Sequence, residues 1–311
     1  EQRNTVTDRA RMGTRIEEYR TREARANPEL ILQARQSEVV PAGAIPEINA
    51  SELDHNVLRD AIQRHGALIV RGMFSETTMA TLTRAADHVI DACEDPEADK
   101  TAERGHYFNP PDNLRSIMPN KDRELGNTRN FHRTSGSAMC VEAPSVAESL
   151  LELYEQYGLK DLVTDYLGEA PCLSVKKWVL RRSLLPVAEA GWHQDGAFMG
   201  TDINTINMWI PLNACGGTTG APGMDVVPRR LYGLASAEGA QFEWSVSDSH
   251  VQGDGNEPVA PEFGAGDAFF FDHLFLHRTQ YRADFINTRY AIETWFFGAT
   301  TFPKNQIPLA W

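Results

Sequence analysis

The sequence predicts a mainly β core with helices packed around it. From residue 172 onward, short runs rich in β-branched and aromatic residues are separated by turn residues. Before that point, apolar residues recur at helical spacing in several segments. The 311 residues suffice for one large domain or two small ones, and the 41% apolar and 23% charged composition is typical of a globular protein. We expect one domain over 1–311, divided into an N-terminal extension (1–45), a helical flank with lid loops (46–171), a β core (172–299) and a tail (300–311).

Charge and cysteine usage restrict the classes of partner. The net charge of −13, from 30 basic and 43 acidic residues, argues against nucleic acid or an anionic membrane and leaves small molecules as partners. No apolar run is long enough to span a bilayer, and no secretory leader pattern is seen. The scattered cysteines predict reduced thiols in a cytoplasmic protein: Cys93, Cys140, Cys172 and Cys215. The sequence leaves open whether the protein forms a homo-oligomer.

The N-terminal half is expected to be largely helical. Residues 1–38 are rich in Arg, Glu and Gln, which favours a solvated or partner-contacting extension, with a dimer arm or an active-site flap as the alternative. Ser51 is expected to cap a helix that ends at Gly66. A buried strand over 67–72 follows, and Ser75 is expected to cap the next helix.

The region 94–141 has little periodicity and several prolines. Binding residues concentrate on loops, so we expect a lid and a substrate wall in this region. The alternative is that its polar residues only cap turns. The candidate substrate contacts are His106, Asn109, Arg129, His132 and Arg133. After this region, Ser145 predicts a capping box at the start of a helix, and a further helix is expected over 159–167.

The segment 173–183 mixes strand-forming residues with cations. Because side chains alternate along a strand, one face would carry Lys177, Val179 and Arg181, and the other Lys176, Trp178, Leu180 and Arg182. The period leaves open which of these cations faces a cavity. A second strand is expected over 205–212, with Trp209 on one of its faces.

The stretch 191–196 contains a His-x-Asp motif, His193-Gln194-Asp195. The imidazole is a neutral nitrogen ligand for a divalent metal, and the carboxylate is an anionic oxygen ligand. A distant His would complete a facial set of two histidines and one carboxylate, which leaves three positions open and suits non-haem Fe(II) with a co-substrate and O₂.

The third ligand is expected in the aromatic run over 268–279, which we interpret as one buried strand. His277 lies near the end of this run. His273 competes with it, because residues four apart on a strand share a face. Arg289 opens the next strand-like run, and a guanidinium there can bind a carboxylate through two hydrogen bonds.

The order His-x-Asp, His, Arg resembles the phytanoyl-CoA hydroxylase-like branch of the Fe(II)/2-oxoglutarate dioxygenases. The resemblance covers about residues 170–299. In that branch the first motif is often His-Gln-Asp, and the distal His follows a Gly-Asp strand start, as at Gly266-Asp267 here. The spacing from Asp267 favours His277 over His273. The chain departs from the family at Pro228-Arg229-Arg230, where Pro-Gly-Ser-His is usual.

The resemblance implies a double-stranded β-helix, which is a jelly-roll or cupin-like fold, with flanking helices. It implies that His193, Asp195 and His277 hold Fe(II) and that Arg289 binds the distal carboxylate of 2-oxoglutarate. The other contacts that it implies for the co-substrate are Thr279, Trp209 and Gln194. A core role for Trp209 is an equal alternative.

The reaction implied is hydroxylation of an unactivated C–H bond of a small molecule, with O₂ consumed and succinate and CO₂ released. The cations Arg181, Arg182, Arg229 and Arg230 point to an anionic substrate, and we include Arg229 and Arg230 among the substrate contacts. Desaturation or cyclisation is compatible with the same ligands. Two further alternatives are a metal-dependent cupin-like enzyme that uses no 2-oxoglutarate and a catalytically silent binding module.

Overall fold

The protein is described here by a computed structural model, which covers residues 4–20, 22–25, 45–94, 106–116, 122–240, 242–252 and 257–311. The α-helices of the described ranges are α1 (Thr5–Glu17), α2 (His55–His65), α3 (Glu76–Glu94), α4 (Asn113–Ser116), α5 (Asp122–Thr134), α6 (Pro144–Gln156), α7 (Leu159–Leu167), α8 (Gly196–Met199) and α9 (Asp248–Gln252). Short 3₁₀ turns cover Ala50–Glu52 and Cys140–Glu142. None of the helices described is long and apolar enough to cross a membrane.

The strands of the same ranges form two face-packed sheets and one short pair. They are β1 (Glu47–Asn49), β2 (Ala67–Arg71), β3 (Ser137–Met139), β4 (Pro171–Arg182), β5 (Trp192–His193), β6 (Thr205–Pro211), β7 (Cys215–Gly216), β8 (Met224–Val226), β9 (Ser245–Val246), β10 (Glu262–Phe263), β11 (Ala268–Phe271), β12 (His277–Thr279), β13 (Tyr290–Gly298) and β14 (Pro308–Ala310).

The major sheet has the order β1-β2-β11-β6-β13-β4-β14, and β3 also pairs with β4. Only β1 and β2 run parallel within it. The minor sheet has the order β8-β12-β5-β9, and β7 pairs with β10. Apolar residues of both sheets share one core cluster, so the sheets pack face to face as in a jelly roll. This architecture confirms the fold class that the sequence predicts.

Strand β6 shows how alternation separates two cores. Ile206, Met208 and Ile210 point outward and join the large cluster that contains the apolar faces of α2, α3, α6 and α7. Trp209 points inward, between the sheets, and belongs to the second cluster. The outer packing therefore uses one face of the major sheet, and the inner face is left to build a cavity.

The helix ends confirm some sequence predictions and correct others. Gly66 ends α2 in the left-handed region (φ 82°), as expected, because only glycine adopts it without strain. Asp54, not Ser51, caps this helix by accepting hydrogen bonds from two backbone N–H groups, at 2.7 and 2.8 Å. Likewise α6 starts at Pro144 without a side-chain cap, so the capping box at Ser145 was wrong.

Helix α1 of the N-terminal extension and strand β14 of the tail are parts of the fold, whereas the prediction for residues 26–44 of the extension lies outside the described residues. In α1, Met12 and Ile16 are 0% and 1% exposed and join the main core, which contradicts a solvated segment. Arg15 of α1 also forms an ion pair with Glu148 of α6 (2.8 Å). Strand β14 lies in the expected tail and pairs with β4 at the edge of the major sheet.

Two further expectations need correction. The region 94–141 contains the helix α5 and the strand β3 among its described residues, so it is not a loop throughout. The aromatic run over 268–279 is not one strand. It divides into β11 in the major sheet and β12 in the minor sheet, with a turn in which Asp272 accepts a hydrogen bond from the Leu274 N–H (3.0 Å).

The cysteines are buried free thiols, in agreement with the sequence: Cys93, Cys140, Cys172 and Cys215.

Candidate active site

Three side chains converge where the minor sheet faces the cavity. His193 on β5 and His277 on β12 are paired across the antiparallel register, and Asp195 lies two residues beyond the end of β5. One ligand atom from each of the three lies within 4.8 Å of the others. The Nε2 atom of His277 is 3.5 Å from Asp195 Oδ2. The structure thus brings together the three residues that the sequence singled out as metal ligands.

Backbone carbonyls orient both imidazole rings. His193 Nδ1 is 3.0 Å from the Gly191 carbonyl oxygen, and His277 Nδ1 is 3.0 Å from the Phe275 carbonyl oxygen. A neutral ring that donates through Nδ1 keeps the Nε2 lone pair for a metal. Burial, helped by the neighbouring His277, lowers the pKa of His193 to about 4, so its ring is neutral at pH 7. Two imidazole nitrogens and one carboxylate oxygen fit Fe(II).

Lys177 holds the carboxylate of this group. Its Nζ is 2.7 Å from Asp195 Oδ1, which leaves Oδ2 on the side of the histidines. Burial alone would raise the pKa of Asp195, but Lys177 and the two histidines outweigh it and hold that pKa below its usual range. The carboxyl group is therefore ionised, as a metal ligand must be.

His273 does not join this group. Its Nε2 lies 3.2 Å from the Thr201 carbonyl oxygen, and burial lowers its pKa. The turn between β11 and β12 explains the difference, because it places His273 before the minor-sheet strand that carries His277. His273 and His277 therefore do not share a strand face, contrary to the expectation from the sequence. The preference for His277 over His273 as the third ligand agrees with the geometry.

A cavity of about 650 Å³ opens in front of the three candidate ligands. Arg289 lines it and is 7% exposed. Its Nη1 donates to the Gly223 carbonyl oxygen (3.2 Å), its Nε has no partner, and no described carboxylate forms an ion pair with it. Burial lowers the pKa of Arg289 to about 10, so the group stays cationic at pH 7. A buried cation without a carboxylate can bind an anionic ligand.

Trp209 and Thr279 also line this cavity. The guanidinium carbon of Arg289 is 5.7 Å from the centroid of a Trp209 ring. Trp209 also packs edge-on against Phe263 in the inner core (5.2 Å between centroids), so the cavity role and the core role of Trp209 coexist. Thr279 lines the cavity two residues after His277, on the same side of β12.

The faces of β4 follow the predicted alternation from Lys177 to Arg182, but Lys176, which the sequence places on the opposite face, also lines the cavity. Lys177 and Arg181 line the cavity, whereas Trp178 and Leu180 join the outer core. Arg182 lies outside the cavity and pairs with two aspartates of α3 at 2.8 and 2.6 Å.

Sequence reasoning missed several cavity residues. Glu293 of β13 forms a buried ion pair with Arg181, and Asn207 of β6 lines the cavity floor. The alternation of both strands could have found them, because Glu293 and Asn207 share the inward face with Trp295 and Trp209. Trp244 lines the mouth because the adjacent residue of β9 pairs with His193, a contact that no local pattern predicts.

Among the expected substrate contacts, His132 lines the cavity. It lies on α5, is 4% exposed, and its Nε2 is 3.3 Å from the Lys176 carbonyl oxygen. Burial, together with the nearby cation of Arg181, lowers the pKa of His132 to about 4. This side chain is therefore a neutral group of the cavity wall at pH 7.

The other expected contacts do not line the cavity. Arg129 forms an ion pair with Glu142, and Arg230 pairs with Asp272. Asn109 lines a separate surface pocket beside α1. His106 packs edge-on against Tyr107. Arg133 and Arg229 are also absent from the cavity lining. Long side chains near a site often find nearer partners, which sequence position cannot reveal.

The expected co-substrate contact of Gln194 also needs correction. Its amide Nε2 donates to the carbonyl oxygens of Gly233 (3.0 Å) and Leu274 (2.6 Å), and its Oε1 accepts from the Ala235 N–H (2.7 Å). All three hydrogen-bonding partners are backbone groups outside the cavity wall. Gln194 thus fixes two loops behind the histidines instead of facing a ligand.

A jelly-roll core with an iron-compatible His–Asp–His group is typical of the Fe(II)/2-oxoglutarate oxygenases. A sequence model of the phytanoyl-CoA dioxygenase (PhyH) family matches residues 62–282. The chain belongs to this family. The resemblance expected from the motifs is therefore confirmed.

Solved structures with similar folds include EctD from S. alaskensis. With 2-oxoglutarate and 5-hydroxyectoine, EctD has 16% sequence identity to this chain and a TM-score of 0.56, over 91% of this chain and 85% of EctD. EctD with bound Fe gives 16% identity and a TM-score of 0.54, over 92% and 88% of the two chains. The epimerase SnoN from nogalamycin biosynthesis is 12% identical with a TM-score of 0.49, over 78% and 83%. No curated protein sequence matches the chain.

Proposed function

We propose that the protein is an Fe(II)/2-oxoglutarate-dependent oxygenase that hydroxylates an unactivated C–H bond of a small molecule. The observation that carries the proposal is the convergence of His193, Asp195 and His277 within 4.8 Å at the wall of a cavity that also contains Arg289, a cation that forms no ion pair with a described carboxylate. Family membership and the solved EctD structures with Fe and with 2-oxoglutarate support it.

In this proposal, the two Nε2 atoms and Asp195 Oδ2 hold Fe(II). Iron bound there would supply O₂ activation, with 2-oxoglutarate as the electron source and succinate and CO₂ as products. Lys177 keeps the carboxylate oriented through its other oxygen. The cavity that these three residues line would receive the co-substrate and O₂.

We propose that Arg289 binds the distal carboxylate of 2-oxoglutarate. The charge and the burial of Arg289 support this role, since burial excludes water and strengthens the ion pair. Thr279 and Trp209 line the cavity near this position and are proposed to flank the co-substrate. Gln194 is left out of this set.

The wall of the cavity is proposed to select the substrate. Phe198, Trp244 and Phe271 provide apolar surface, and His132 provides a neutral polar group. The argument for an anionic substrate loses three of its four cations, because Arg182, Arg229 and Arg230 do not line the cavity. Desaturation and cyclisation use the same ligands and are the alternative outcomes of the reaction.

We also propose that residues 1–311 act as one domain. The packing of α1 on α6 and the pairing of β14 with β4 support this, because α1 and β14 both contribute to the main core cluster.

The test is an anaerobic titration of Fe(II) and 2-oxoglutarate, followed by air. A weak visible charge-transfer band and succinate formation on aeration are expected, and both should be lost in His277→Ala. His273→Ala is the matched control, because it removes a buried histidine four residues away and should keep both. Metal binding with neither a band nor succinate would favour a cupin-like enzyme without 2-oxoglutarate. Binding of 2-oxoglutarate without succinate would favour a silent binding module.

A further inference from the structure

The pair formed by Arg181 and Glu293 has no part in the metal centre or in the proposed co-substrate site. Arg181 is on β4 and Glu293 on β13, and both side chains line the cavity. Arg181 donates through Nε (2.8 Å) and Nη2 to a single oxygen of Glu293, Oε2. We propose that this pair is the polar subsite for the substrate, and that it selects small molecules that carry a carboxylate and an ammonium group together.

The pair lies close enough to the metal centre to act on a small substrate. Val179 is opposite Glu293 in the strand register, and Lys177 is two residues before Val179 on the same face. Two residues along a strand span about 7 Å. A molecule held at the pair would therefore place atoms a few bonds away in front of Asp195, which Lys177 contacts.

A purely structural role explains the pair poorly. Removing two charges from water costs several kcal/mol, and apolar residues of similar volume often stabilise such a position as well or better. Strands β4 and β13 are already joined along most of their length by the backbone ladder. The side chains of Arg181 and Glu293 are still 24% and 11% exposed, so a ligand in the cavity can reach both.

Both partners keep unused hydrogen-bonding capacity. A guanidinium has five N–H donors, and the bonds to Glu293 use the N–H groups of only two of its three nitrogens. The second carboxylate oxygen of Glu293, Oε1, accepts from Trp295 Nε1 at 3.2 Å and has room for another donor. A ligand carboxylate can therefore bind Arg181 while a ligand ammonium binds Glu293, without breaking the pair.

Charge balance favours a zwitterion over an anion. Lys177 is paired with Asp195, Arg181 with Glu293, and Arg289 is assigned to the co-substrate. Lys176 also lines the cavity and likewise has a partner within the protein. A singly charged anion at Arg181 would compete with Glu293 for one cation. A zwitterion adds a donor and an acceptor together, so each charge of the pair gains a partner. The aromatic part of the wall would receive the apolar body of the same molecule.

The experiment uses four probes with one phenyl ring and different charges. They are L-phenylalanine, 3-phenylpropanoate, phenethylamine and 3-phenylpropanamide. Binding to the anaerobic protein with Fe(II) and 2-oxoglutarate is followed by tryptophan fluorescence, since Trp209 and Trp244 line the cavity. The zwitterion should bind about tenfold more tightly than each of the others, the gain expected from one extra charge-assisted hydrogen bond.

Two variants separate the charges. Glu293→Gln should shift the preference to 3-phenylpropanoate, because Arg181 then lacks its carboxylate. Arg181→Met should weaken both ligands that carry a carboxylate. The matched control is Arg182→Met, which removes the adjacent arginine that pairs with Asp87 and Asp91 outside the cavity and should leave the preference unchanged.

The proposal is overturned if the anion binds the wild-type protein as tightly as the zwitterion, if no probe binds at millimolar concentration, or if Arg182→Met and Arg181→Met act alike. The inference rests on the proposed function, but its failure is distinguishable. A protein that forms the visible band and succinate yet does not discriminate among the probes refutes the subsite alone. Loss of the band and of succinate refutes the proposed function.

Discussion

Substitution Arg289→Met should make the ligand-free protein more stable and at the same time weaken its affinity for 2-oxoglutarate. Burial lowers the pKa of Arg289 from 12.5 to about 10, and a shift of that size corresponds to about 3 kcal/mol of unfavourable free energy for the charged form. Loss of the hydrogen bond to the Gly223 carbonyl oxygen destabilises the variant by about 1 kcal/mol and offsets part of this gain. The net gain in the free energy of unfolding at pH 7 should be about 2 kcal/mol, because methionine fills a similar volume without a charge.

The affinity should change in the opposite direction. Removing one partner of a buried charge pair costs about 2–5 kcal/mol, so the dissociation constant for 2-oxoglutarate should rise at least about 30-fold. Urea unfolding of the ligand-free protein measures the first effect, and titration of the visible band under argon measures the second. Arg289→Lys keeps the charge and is the control. A variant that is less stable than wild type, or that binds 2-oxoglutarate within threefold of it, would refute the assignment of Arg289.

Three further predictions concern stability. Gln194→Met should lower the free energy of unfolding by about 1–3 kcal/mol, because the Gln194 amide forms hydrogen bonds with three backbone groups. Urea unfolding measures this loss, and the variant should still bind one equivalent of metal. Deleting residues 1–20 should cost roughly 3–6 kcal/mol through lost burial of Met12 and Ile16, and a melting curve unchanged by the deletion would contradict the docking of α1. His132 is neutral in the folded protein above about pH 4, because its pKa there is about 4, whereas in the unfolded chain it binds a proton below about pH 6.5. The free energy of unfolding should therefore rise from pH 4 to 6.5. The variant His132→Leu should reduce the slope of that rise by up to one proton, which urea unfolding at a series of pH values measures.

The alternation of residues along strands carried most of what could be predicted. It placed Lys177 and Arg181 on one face of β4, and Trp209 on the face of β6 opposite to its neighbours. The metal group was predictable for a related reason. The motif His193-Gln194-Asp195 contains two of the three candidate ligands. The third, His277, was predicted from the order and spacing of the motifs in the family that the chain resembles.

Predictions failed where a long-range contact decides the local structure. The aromatic run over 268–279 contains no glycine or proline, and it is the pairing of its two halves with different sheets that divides it. Strand β14 forms because it pairs with β4, and the paired residues of β4 lie more than a hundred positions earlier in the sequence. The roles of Gln194 and Arg230 were missed for the same reason, since their partners come from distant turns.

The most direct test of the central claim is the stoichiometry of Fe(II) binding under anaerobic conditions. The account predicts one Fe(II) per chain for the wild-type protein and for His273→Ala, and loss of that binding in His193→Ala, Asp195→Ala and His277→Ala. Circular dichroism should show that the variants are folded. Retention of one tightly bound Fe(II) in a folded His277→Ala variant, or its loss in His273→Ala, would contradict the assignment of the metal centre.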